Sequence, residues 1–198
     1  EFMLAQKNSV LDELPERIKN TIKDYAPYDI PLTAVHEYIH TQQKNWENQS
    51  IIGLCVAEGV AEFISTLITK KPLSPPVLFG KQNAQKVLDK FMIEIFRNQD
   101  VWNWLWSENK NDLRVNDLGY YIGYEICERY YKSANNKKKA IKDLLELDYN
   151  NEEEFAKLVD GTKFLTMTLK EIEIKYDSMR PIGWSEDRKR YTFEIESL

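Results

Sequence analysis

Histidine and cysteine are both scarce here, with two of each in 198 residues: His36 and His40, Cys55 and Cys127. Two cysteines cannot build a disulfide framework or a four-cysteine metal knuckle. Both lie in apolar stretches, where a free thiol acts as a small buried hydrophobe, so they leave the compartment undecided. Continuous apolar runs of about 18 residues are lacking, and no bilayer-spanning segment is expected. The first residues, Glu1, Phe2 and Met3, carry neither the basic nor the apolar region of a secretory signal, and none is expected there. Positive charge is in the minority, 27 Lys and Arg against 32 Asp and Glu, for a net charge of −5. That balance argues against nucleic acid as a partner, because little offsets phosphate repulsion. The one triple-lysine run, Lys137 to Lys139, reads as a solvated helix face. Internal repeats and low-complexity segments are absent. What is present is 42% hydrophobic and 12% aromatic residues, enough for a packed core.

The pattern is mainly α, a multi-helix domain over 1–180 with a small C-terminal β element in 181–198. Val10, Leu11, Leu14, Ile18, Ile22 and Tyr25 recur at helical spacing over 9–26. Pro31 suits the first turn of a second helix running to about Trp46. A third helix, apolar on most sides, spans 51–70 and stops at Lys71-Pro72. Pro72, Pro75, Pro76 and Gly80 mark a loop. Helices are expected at about 82–98, 116–133, 137–147 and 151–159. Thr168-Leu169-Lys170-Glu171 is a capping box opening another, to about Asp177. Tyr191, Phe193 and Ile195 alternate with polar residues, the period of a strand.

The chemistry is concentrated in His36-Glu37-Tyr38-Ile39-His40. Residues i and i+4 share a helix face, so both imidazoles can meet one ion. Two histidines scattered at random in a chain of this length fall four apart about one time in a hundred. Zinc suits neutral imidazole, and a catalytic zinc takes three protein ligands and leaves one position for water. Glu37 stands one step round from His36, where this motif puts a general base rather than a ligand. The third ligand is sought in the apolar helix that follows, where Glu58 and Glu62 are again four apart. Buried carboxylates are costly unless paired or bound to a cation. The economical assignment puts Glu58 on zinc, with Glu62 accepting the second ring N–H of a ligand histidine. The swapped assignment stays open, as does a Cys55 thiolate ligand in place of simple packing. Gly59 and Ala61 are expected to let this helix approach the histidine helix closely.

A His-Glu-x-x-His motif with a ligand Glu about twenty residues on resembles the gluzincin group of zinc peptidases. In that group an acidic residue four positions after the ligand Glu orients a histidine, and Glu62 matches it. Tyr28-Asp29-Ile30-Pro31 ahead of the motif, with Asp117-Leu118-Gly119-Tyr120-Tyr121-Ile122-Gly123-Tyr124, resembles more narrowly a family of zinc-dependent proteases related to the Bacteroidetes gliding-motility lipoprotein GldB. The resemblance covers about residues 25–180. It implies a zincin-like helical domain, a Zn2+ cofactor, a peptide or protein substrate, and an extracytoplasmic, lipid-anchored location, the anchor lying outside this chain.

Both histidines are taken by metal, so the scissile carbonyl needs another donor. A tyrosine O–H is competent, and Tyr121 or Tyr124, in a helix with Gly119 and Gly123, is the candidate, ahead of Arg114. Trp102, Trp104 and Trp106 line either a substrate groove or the core. The expectation is therefore a zinc metallopeptidase with Glu37 as general base. The rival readings are a partner-binding surface or gliding lipoprotein that keeps the zinc motif as a structural or relic site, and a zinc hydrolase of non-peptide amides or esters.

Overall fold

Ser50 opens the central helix of the fold by accepting a hydrogen bond from the Gly53 N–H, and Lys70, in the left-handed region at φ 55°, closes it. In the computed structural model the described residues are 30–46, 50–97, 101–106, 113 and 115–178. The helix expected over 9–26, the strand at 191–195 and Arg114 lie outside them. Among the described residues the chain is mainly helical, with no sheet. The helices are α1 (Ile30–His40), α2 (Ile51–Thr69), α3 (Pro75–Gln82), α4 (Ala84–Arg97), α5 (Leu118–Ser133), α6 (Lys137–Leu145), α7 (Glu152–Gly161) and α8 (Leu169–Ser178). A 3-10 turn lies at Val101–Asn103.

Two boundaries differ from the sequence reading. α1 stops at His40 rather than near Trp46, because the chain turns at Thr41 and Gln42, whose N–H groups donate to the Tyr38 and Ile39 carbonyls. Asn45 then takes φ 53° and donates to the Asp148 carboxylate. The proline-rich stretch is not all loop, since Pro75 and Pro76 begin α3, where the missing N–H costs nothing. The capping box is present as read: Glu171 N–H donates to Thr168 Oγ1 at 3.2 Å, and Thr168 N–H to Glu171 Oε2 at 2.7 Å.

α2 is the core. Residues 51–65 are buried on every side, packed by α1 on one flank and α5 on another. By length and composition it would pass for a membrane span, but 83% of its most apolar stretch is buried inside the molecule, as in a core helix. Its contact with α5 runs through small residues. A Cβ on Gly59 would land on the Gly123 backbone, and one on Gly123 on the Cys55 carbonyl. Gly59 therefore serves the approach to α5, not to α1 as expected. α3 packs on α5 with the Tyr121 ring against Gly80. Lys137, Lys138 and Lys139 are exposed, as a solvated face should be.

Candidate metal centre

α1 buries Leu32, His36 and Ile39 and leaves Glu37 and Tyr38 exposed. The two helices run antiparallel, since His36 meets Glu62 and Glu58 while Gln43, further along, meets Ala57. Glu58 and Glu62 are only 3% and 5% exposed. An apolar helix tolerates two such carboxylates only if charge or hydrogen bonds answer them.

Three ligand-type atoms converge. His36 Nε2 and His40 Nε2 are 3.1 Å apart, and each faces Glu58 Oε2, at 3.2 and 3.3 Å. The triangle is nearly equilateral. A tetrahedral zinc with bonds of about 2.0 Å sets its ligand atoms about 3.3 Å apart, so the donor set fits that ion in type and in spacing. His36, His40 and Glu58 are accordingly a group able to hold a metal.

The surroundings orient each member. His36 turns Nδ1 to Glu62 Oε2 at 3.5 Å, while Glu62 Oε1 is buried with no hydrogen-bond partner. His40 Nδ1 meets Gln43 Oε1 at 2.7 Å. The second Glu58 oxygen, Oε1, accepts from the Trp106 indole N–H at 3.1 Å, which leaves Oε2 for the histidines. Tyr120 lies close enough to Glu58 and Trp106 for both to act on its hydroxyl. Aromatic rings flank both imidazoles: Tyr120 stacks on His36 at 5.8 Å and Trp46 on His40 at 4.7 Å.

The carboxylates act on the histidine. Burial opposes charge on His36, but hydrogen bonding and attraction from Glu58 and Glu62 outweigh it and lift the pKa from 6.5 to about 9. Burial likewise opposes charge on Glu58, and His36 and His40 overcome it, lowering the pKa from 4.5 to about 2. Burial, then the Glu58 charge, pushes the Tyr120 hydroxyl well above its ordinary value, so it stays protonated and remains a donor.

Several sequence candidates fall elsewhere. The tyrosine beside the cluster is Tyr120. Tyr121 is buried against Gly80 and Phe164, and Tyr124 packs edge-on to Phe63 with the Lys81 ammonium over its ring. One residue along a helix is a turn of about 100°, enough to carry Tyr121 to another face of α5. Cys55 stands outside the cluster, its sulfur directed at Gly119 of α5, and burial pushes its thiol up, which disfavours a thiolate ligand. Trp104 is core, donating to Glu94 at 2.8 Å, whereas Trp106, 43% exposed, belongs to the site. Gln43 and Trp46 were missed. Both follow the motif closely, but only the turn at 41–42 aims them back at it.

Fold and site together define a mainly helical domain with a His-His-Glu cluster able to hold a metal between two core-packed helices. The chain belongs to the family described as predicted Zn-dependent protease (DUF2268), whose profile matches residues 15–152 and so includes the whole cluster. No curated protein and no solved structure matches the chain. The family match carries the zinc-protease part of the resemblance and has no bearing on gliding motility or a lipid anchor.

Proposed function

We propose that this chain is a zinc-dependent peptide-bond hydrolase in which His36, His40 and Glu58 hold the ion. The observation that carries the reading is the 3.1–3.3 Å triangle of two imidazole nitrogens and one carboxylate oxygen. Bound there, zinc would supply a Lewis acid that lowers the pKa of a water to about 7 and polarises a carbonyl. Glu37, exposed one residue beyond His36, takes the proton from the attacking water as its oxygen adds to the peptide carbon, then delivers it to the amine as the C–N bond breaks. Tyr120, rather than Tyr121 or Tyr124, donates its hydroxyl hydrogen to the developing oxyanion. Glu62 keeps His36 oriented through Nδ1, and Trp106 keeps Glu58 presenting one oxygen.

The test is a fluorescent peptide-library digest with metal analysis of each protein. Wild type should hold about one zinc and cleave, and Glu37→Gln should keep its zinc while losing about 10²–10⁴-fold in rate, the usual contribution of a positioned general base. Zinc-loaded wild type that cleaves nothing, or equal cleavage by both proteins, would overturn the reading.

A further inference from the structure

The two histidines differ in what faces their second nitrogen. His36 looks at a carboxylate and His40 at a neutral amide, the Gln43 side chain, with Nδ1 and Oε1 2.7 Å apart. The amide is held from its other end as well. Gln43 Nε2 donates to the Ala57 carbonyl at 2.9 Å and toward the Tyr149 hydroxyl at 3.4 Å. The Ala57 carbonyl only accepts, so it requires the nitrogen on that side, and the oxygen is the atom turned to His40.

A carbonyl oxygen only accepts, so the hydrogen of the His40 ring sits on Nδ1 and the lone pair on Nε2. Nε2 is the atom 3.1 Å from His36 Nε2 and 3.3 Å from Glu58 Oε2. Ala57 is the residue before Glu58, so one buried side chain ties a ring in α1 to the backbone that carries the third ligand. Neighbouring Gln42 does nothing of the kind; its exposed amide pairs with Thr41.

We infer that Gln43 is a positioning residue of the metal centre, fixing the tautomer and ring orientation of His40 for metal binding. This inference rests on the zinc reading above. It separates two roles of one amide: the oxygen serves the site, and the nitrogen serves the fold. Gln43→Leu loses both. Gln43→Glu keeps an acceptor for His40 Nδ1–H and loses the donor to Ala57 and Tyr149.

The experiment measures zinc affinity by competition with a chromophoric chelator, with far-UV circular dichroism to confirm folding. Gln43→Leu should bind zinc about 10–100-fold more weakly than wild type, and Gln43→Glu should stay within about threefold of it. Equal losses in both variants would assign the side chain to the fold alone and overturn the inference. Unchanged affinity in Gln43→Leu would overturn it too. A second readout uses zinc-loaded wild type. With only two histidines, ¹⁵N-labelled histidine gives two ring systems, and both should show Nδ1–H with Nε2 ligated. Ligation of His40 through Nδ1 would overturn the inference while leaving the zinc reading intact. Wild type that binds no zinc would overturn both.

Discussion

At the scale of single residues, protons and a metal ion would compete for the cluster. Its charged hydrogen bonds stabilise the metal-free chain with opposite pH senses. Glu58, lowered from 4.5 to about 2, contributes stability present above pH 4.5 and lost as pH falls through about 2. His36, raised from 6.5 to about 9, contributes stability complete below pH 6.5 and lost as pH rises through about 9. Zinc needs the neutral imidazole, so near neutral pH it displaces that proton. Apparent zinc affinity should therefore climb with pH, by up to about tenfold per unit, and level off near pH 9 where His36 is already neutral. Competition titrations from pH 6.5 to 9.5 read this directly, and an affinity flat over that range would contradict it.

At the scale of elements, the site depends on how closely α2 and α5 approach. Cys55 and Gly59 on α2 oppose Gly119 and Gly123 on α5, each pair one turn apart, and the two backbones touch at Gly59 and Gly123. That contact brings Tyr120 to Glu58 and His36. Helix propensity and packing disagree in sign for Gly123→Ala. Propensity alone favours alanine by about 1 kcal/mol. Packing puts the new Cβ on the Cys55 carbonyl, backbone against backbone, and forcing the helices apart costs roughly 3 kcal/mol. Net destabilisation of about 2 kcal/mol is expected, read as a lower denaturation midpoint in chelator so that metal does not contribute. A stabilised variant would show that the helices do not touch there.

At the scale of the whole molecule, the metal should add stability without creating the fold. The core of α2 with α4, α5 and the buried parts of α7 is apolar and independent of the histidines. Chelation should therefore leave helical circular dichroism nearly unchanged while lowering Tm. Zinc at 100 times its Kd stabilises the native state by about 2.7 kcal/mol. For a chain of this size that corresponds to a shift of roughly 5–10 °C. Loss of helix on chelation at room temperature would mean that the ion is structural, because a core this apolar should hold without it.

Much of the architecture was legible because it is written in local period. The run at 51–70, the capping box at Thr168, and the i, i+4 pairs His36/His40 and Glu58/Glu62 each state a helix face without reference to the rest of the chain. The carboxylates in an apolar helix announced a polar partner by their burial cost. The tertiary structure decided what lies across from those faces. Tyr120, Tyr121 and Tyr124 have nearly the same sequence context, and only the rotation of α5, set by the glycine contact with α2, turns Tyr120 to His36 and Tyr121 to Gly80. Gln42 and Gln43 are identical side by side; the end of α1 at His40 sends one outward and the other to the imidazole. Periodicity fixes which residues of one helix share a face, whereas partners from different helices follow from crossing angle and closest approach, which are properties of the packed pair.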